Sequence, residues 1–387
     1  MKNLRRLLKT VVCILIIINL TGCWNSSELN ELGIVMGVAI DKAEEPDLVT
    51  VTAQTIKPGQ MASGKKDGGD GQKAYANFKD TGHSVFAAIR DITNQSSRKL
   101  YFPHNQVLII GKSAAEDGVT KYLDFFTRDP ETRLSVSVLV AKNKANEVLD
   151  SQPDLEKIPA NNISQLVKDE EKSTSQAMEI KLKDFKKRLM SKTTAPIAPI
   201  VDIFEEDGKK KAEINGTAVF KNDKLVGTLD KREGRGLLWV LGRVDSTIIE
   251  TNSSQGNLVG LETVRAEGKF SPELSDDKIK INIDITEEGN IGEQYGPENL
   301  SDLHEVAFLE LQKAEVIKSD VMAAVKKAQE LNADVFGFGD AIHRKYPEKW
   351  TSMEDKWDEI FPKIEVEVNV DANLRLMGRT RIPSVPQ

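Results

Sequence analysis

From Ile364 to Leu376 every second residue is apolar: Ile364, Val366, Val368, Val370, Ala372, Leu374 and Leu376. Glu365, Glu367, Asn369, Asp371, Asn373 and Arg375 fill the positions between them. A period of two puts all the apolar side chains on one face of an extended strand, whereas a helix would scatter them around its axis. The chain must therefore contain a sheet with one covered and one wet face. A partner strand must lie beside this one, because a free ladder of that length invites association with other chains. The segment Ile279, Ile281, Ile283, Ile285, alternating with Lys280, Asn282 and Asp284, has the same pattern and is the expected neighbour. Between them, Leu303, Ala307, Leu311, Ala314, Ile317, Val321, Val325, Ala328 and Leu331 recur in steps of three or four. That stripe predicts a long amphipathic helix laid on the sheet, with Asp302 and Glu305 placed to cap it.

The upstream half reads as strands mixed with helices. Ile34–Ile40 and Leu48–Ile56 are apolar strands joined by a turn containing Pro46, and Asn105–Ile110 and Leu134–Ala141 are two more. Helical spacing covers Gly82–Asn94 and Ala114–Arg128, and Asn143–Met190 reads as polar helix. Residues 57–73 hold five glycines and few apolar side chains, so they read as a loop. Pro196 and Pro199 forbid a regular helix, which places the expected domain boundary near residue 195. Beyond it, Ile214–Phe220 and Leu225–Leu229 form a hairpin around Asn222-Asp223, and Leu237–Leu241 a short apolar helix. The fold class is α+β in several domains, with mixed and antiparallel sheets. The C-terminal domain, 196–387, carries the long amphipathic helix on an antiparallel sheet, and the N-terminal one spans 23–195.

Net charge is −7, which argues against a general nucleic-acid-binding surface. Two cysteines and four histidines are too few for a disulfide framework or a His-rich metal centre. Cys13 lies in an apolar run, Val11–Ile18, preceded by Lys2, Arg5, Arg6 and Lys9. A basic start and an apolar run too short to span a bilayer read as a secretory signal peptide, residues 1–22. Leu20-Thr21-Gly22-Cys23 closes it and resembles a bacterial lipobox. Cleavage after Gly22 would make Cys23 the first residue, carrying an S-diacylglyceryl group and an N-acyl chain. Two or more acyl chains anchor stably where one holds only marginally. The remaining 365 residues would carry a net charge of −11 and lie outside the membrane, tethered at one end.

Catalytic motifs fail where the chemistry sits. Gly59-Gln60-Met61-Ala62-Ser63-Gly64-Lys65 starts like a phosphate-binding loop but continues with Lys66 instead of Ser or Thr. Gly111-Lys112-Ser113 follows a strand but has Gln106 where the first glycine belongs. Gly337-Phe338-Gly339 has Ile342 in place of the last glycine of a dinucleotide fingerprint. His304-Glu305 has Phe308 where a zinc peptidase has its second histidine. The expectation is a non-catalytic protein with no cofactor and no metal.

A set of segments, in order, resembles the C subunit family of spore germinant receptors, the Ger(x)C lipoproteins. They include Thr21-Gly22-Cys23-Trp24, Gly37-Val38-Ala39-Ile40-Asp41-Lys42 and His104-Asn105-Gln106-Val107-Leu108-Ile109-Ile110-Gly111. Further on come Leu123–Pro130, Asn215–Phe220, Arg235–Trp239, Glu288–Glu293 and Ala333-Asp334-Val335-Phe336-Gly337-Phe338-Gly339. Asn25 departs from the acidic residue usual two places after the lipid cysteine. The resemblance implies a lipid-anchored receptor subunit on the outer face of the spore inner membrane. Its partners would be two integral-membrane subunits, of A and B type, and the membrane lipid. It transfers one functional residue, Cys23. Among the other matched residues, His104, Asn105, Arg128 and Asp129 need polar partners if buried. The rival readings are an extracytoplasmic solute-binding lipoprotein of a transporter, whose two doubly wound lobes suit the alternating strand poorly, and an envelope hydrolase.

Overall fold

Two strands of five residues, β5 (Val107–Gly111) and β6 (Ser137–Ala141), are buried at every position. Such strands need cover on both faces, and the fold supplies it. The computed structural model describes residues 3–6, 10, 31–61, 73–275 and 278–376. In it β5 and β6 lie inside a nine-stranded sheet with β1 (Leu32–Lys42), β2 (Val49–Ile56), β3 (Tyr75–Gly82), β7 (Ile197–Glu206), β8 (Lys209–Lys221) and β9 (Lys224–Leu229). The order is β3-β2-β1-β5-β6-β7-β8-β9, with the short β4 (Lys99–Tyr101) beside the start of β1. β1, β5, β6 and β7 run parallel, and the outer strands are antiparallel.

One face is covered by α1 (Val85–Ile92), α2 (Lys112–Asp117), α3 (Thr120–Arg128) and α6 (Leu182–Leu189), through Ile92, Ala114, Phe126 and Phe185. α4 (Ala145–Leu149) and α5 (Pro159–Ser173) cover the other through Leu149, Ile163 and Val167. The hydroxyl of Ser84 caps α1 by accepting from the Ala87 N–H. Residues 57–73 connect β2 to β3: the Lys57 N–H donates to the Ala74 carbonyl, and Pro58–Met61 make one helical turn. The glycine-rich remainder, 62–72, lies outside the described residues, as does Cys23.

The division expected near residue 195 does not separate two sheets. β7, β8 and β9 all follow it and complete the first sheet. Pro199 is accommodated because the β7–β8 register shifts between Pro199 and Val201, and a bulge tolerates a residue without an N–H.

A second sheet has the order β10 (Ile248–Asn252), β11 (Leu258–Ser275), β12 (Lys278–Gln294), β13 (Glu365–Leu376). β13 is the alternating strand, and it pairs with β12 as expected, Ile281 opposite Val366 and Ile283 opposite Val368. The pairing is parallel, however, which corrects the antiparallel expectation for this edge. The reason lies between the two strands: the long helix α8 (Leu303–Glu330) carries the chain back along the sheet, and a crossover of that kind returns the next strand in the same direction. α8 packs on β13, β10 and α7 (Lys231–Leu241). α7 starts with a capping box between Asp230 and Glu233. A side chain at Gly236 would strike the backbone of Asp320 in α8, so only glycine permits this approach. Arg232 and Arg235 both donate to the Asp320 carboxylate, at 3.0 and 2.8 Å. After α8 come α9 (Phe338–Lys345), α10 (Pro347–Met353) and three short helical turns ending at Lys363. Buried residues of both sheets join in one core, from Val38 through Trp239 and Ile283 to Phe361.

Candidate functional site

The densest buried polar chemistry lies where the two sheets meet. Thr194 bridges Asp334 in parallel fashion, and the Ala195 N–H donates to the Asp334 carbonyl at 2.8 Å. The Asp334 side chain is 3% exposed. Its carboxylate accepts from the N–H groups of Gly337, Phe338 and Gly339 at 2.8, 3.1 and 2.8 Å, holding the first turn of α9. Gly337 makes the turn possible at φ 82°, in the left-handed region. Burial outweighs these three bonds and, with the nearby Asp340 carboxylate, lifts the Asp334 pKa to about 6.

Asp340, two turns of chain further, accepts from the hydroxyls of Thr193 at 2.6 Å and Thr194 at 2.8 Å. From α6, Arg188 reaches across and donates to the carbonyls of Ala195 and Val335, both at 2.9 Å. Burial lowers the pKa of this guanidinium, and Asp334, Asp184 and Asp340 act against the shift. Next to the cluster lies a cleft of about 500 Å³, lined by Lys187, Arg188, Thr194, Asp340 and Arg344 among others. The arrangement fastens the two sheets through charged side chains and backbone carbonyls. The Thr193 and Thr194 hydroxyls both donate to the one Asp340 carboxylate, tying the segment before β7 to α9. Among the described residues no three His, Cys, Asp or Glu side chains gather as a metal site requires.

A second buried charge pair sits between α8 and the second sheet. Lys313 Nζ donates to Glu287 Oε1 at 2.6 Å, and both side chains are 0% exposed. Burial lowers the pKa of Lys313 and raises that of Glu287, each opposed by its partner. Among the described residues no donor meets hydrogen-bond geometry at the other Glu287 oxygen.

The residues singled out from sequence are dispersed. Cys23 lies outside the described residues, so the anchor has no geometry here. Arg128 is exposed and pairs with Asp124 on its own helix, at 2.7 Å. The Asp129 carboxylate accepts from the Glu131 N–H, which is turn chemistry. His104 is exposed, while the side-chain oxygen of Asn105 is buried without a partner among the described residues. Of the matched segments, Ala333–Gly339 supplies the buried Asp334. Its signal was an aspartate three residues before a glycine pair. Lys313 and Glu287 went unnoticed, although each falls in phase with an apolar stripe: Leu309, Lys313, Ile317 and Ile283, Ile285, Glu287.

Comparison with known proteins gives a coherent picture. The family model described as "Spore germination protein N-terminal domain" matches residues 25–203, and "Spore germination B3/ GerAC like, C-terminal" matches residues 215–378. Spore germination protein KC of Bacillus subtilis is 30% identical over 98% of this chain and 98% of its own length. Spore germination protein B3 of the same organism is 23% identical, covering 96% of this chain and 98% of its own. A crystal structure of the GerBC protein aligns with a TM-score of 0.56 at 21% identity, over 87% of this chain and 96% of that one, which shows a common fold. From end to end, then, the chain belongs to the Ger(x)C family of spore germination proteins.

Proposed function

We propose that the protein is the lipid-tethered, non-catalytic subunit of a nutrient germinant receptor, held on the outer face of the spore inner membrane beside two integral-membrane subunits of A and B type. The observation that carries this reading is the match to spore germination proteins along nearly the whole chain, both domains in order. The Leu20–Cys23 lipobox behind a signal-like start supports the tether. Among the described residues, Asp334 and Arg188 at the sheet junction bond to backbone N–H and carbonyl groups, which fits a scaffold or relay role. The test is Cys23→Ala in the sporulating host. Labelled fatty acid should no longer enter the protein, nutrient-triggered germination should drop, and the protein should leave the membrane fraction. Label persisting on the variant, or full germination without it, would overturn the tether. Co-purification of the two membrane subunits with the wild-type chain tests the complex separately.

A further inference from the structure

Against a chain of net charge −7, one cleft is lined by unpaired lysines. It is open, about 720 Å³, and lies between the β11–β12 end of the second sheet and the helical run after α9. Lys349, Lys356 and Lys363 recur every seventh residue along that run, with Met353 and Ile360 between them. Steps of four and three put these five on one face. Lys278 faces them from β12, beside Ile279. All four lysines are exposed and, among the described residues, none makes an ion pair; Lys280 and Lys192 nearby are paired with Glu367 and Glu354. Two acids, Glu359 and Glu365, also line the cleft.

The second observation is its position. β1, β5, β6 and β7 are parallel, and Gly37, Val107 and Ser137 stand level with one another, with Ile197 three residues before the Ile200 that pairs with Val140. The chain therefore reaches β1 and β7 from the same edge of the large sheet. At β7 this edge carries Lys192, whose ammonium pairs at 3.1 Å with Glu354, the neighbour of Met353 in the cleft. At β1, about 14 Å away by three strand spacings, Leu32 is nine residues from Cys23. Nine residues reach at most about 30 Å.

We infer that this lysine-lined cleft is a docking surface for the anionic phospholipid bilayer, orienting the protein on the membrane to which Cys23 would tether it. Apolar side chains flanked by evenly spaced ammonium groups suit an interface of acyl chains and phosphate headgroups. The chain as a whole is acidic, and this cleft sets four exposed lysines, outside any ion pair among the described residues, beside apolar side chains on one face. The inference rests on the proposed tether for its location, but its test does not use the tether.

The experiment takes the mature chain with Cys23→Ser, unlipidated, and measures sedimentation with vesicles. One set holds phosphatidylglycerol and phosphatidylcholine in equal parts, the other phosphatidylcholine alone. Binding to the anionic set alone is expected, weakening with salt. The triple variant Lys349→Gln/Lys356→Gln/Lys363→Gln should weaken it on the order of 100-fold. The control Lys112→Gln/Lys144→Gln/Lys210→Gln, on the opposite edge of the large sheet, should bind as the parent does. Matching melting curves would show that both variants fold. Equal loss in both triples, or unchanged binding in the first, would overturn the inference. So would absence of binding to either vesicle, which would leave the cleft to an acidic protein segment. Failure of the Cys23→Ala experiment in cells would leave this measurement untouched.

Discussion

The two sheets solve the same problem in opposite ways. In the large sheet, β5 and β6 are apolar on both faces and helices cover each side, so its centre holds almost no charge. In the second sheet, β12 and β13 alternate, one face is wet, and under α8 the covered face admits a lysine and a glutamate. The first is tolerant scaffold: its interior is held by area removed from water, which is non-directional. The second depends on registration, because a one-residue slip of β13 would bury Glu367 and Asn369 in place of Val366 and Val368. A buried ion pair adds little net stability but penalises wrong pairings heavily. Lys313–Glu287 is placed to enforce the register of α8 against β12.

The largest expected effect tests the wet-face claim. Val368 is 4% exposed, so Val368→Asp buries a carboxylate among apolar neighbours. The cost is on the order of 5 kcal/mol or more, and the second sheet should lose its cooperative melting. Asn369→Asp, on the other face, faces Asp284, to which Asn369 now donates at 3.1 Å. It loses that bond and gains an exposed like charge, so its cost should stay below about 1 kcal/mol. Equal losses in thermal melts would refute the alternation.

Next comes the charge pair. Lys313→Met leaves Glu287 buried without its cation and should cost about 3–5 kcal/mol. Adding Glu287→Leu should restore most of it, because a well-packed apolar pair often matches a buried ion pair. A double variant as unstable as the single one would show that the pair stabilises outright. Broadened spectra in a stable double variant would instead support the register role.

The smallest effect concerns the junction. With its pKa about 6 in the folded protein and 3.8 ordinarily, Asp334 favours folding in its protonated form. Its contribution is complete below about pH 3.8 and is lost as pH rises through 6, an amount on the order of 3 kcal/mol. Asp334→Asn removes the titration while leaving the Gly339 N–H without an acceptor, a cost that does not vary with pH. The wild-type stability minus that of the variant, from denaturant melts, should therefore fall between pH 4 and 7. A flat difference would show that Asp334 is not buried as described.

Period and punctuation made much of the fold legible. The alternating strand, its neighbour β12, the long helix and the β8–β9 hairpin all follow from local pattern. The direction of β13 did not, because alternation is identical in parallel and antiparallel pairs and only the intervening crossover decides. Pro196 and Pro199 marked a change of structure near residue 195, but the large sheet runs on past it, since a bulge on β7 absorbs Pro199 and β7, β8 and β9 complete the sheet. The junction was less legible still. Arg188 and Val335 are 147 residues apart, and nothing local links them. Lys313 and Glu287 were readable in principle, being opposite charges each in phase with an apolar stripe. The lysine face from Lys349 to Lys363 was visible as spacing, but its meaning required the Lys278 strand opposite.

The strand order also constrains how the protein is made. The large sheet is completed only by β9, which ends at Leu229, and its core continues into residues as late as Phe361. As the chain emerges, the outer ladder of β7 stays open until β8 has followed, and α6 lacks its contact to Val335 for a further stretch of chain. A chain halted during export with only its first 195 residues across the membrane would thus present an unfinished sheet rather than a finished unit. Maturation should proceed as one late event, with chaperone dependence concentrated in the interval between β7 and β9.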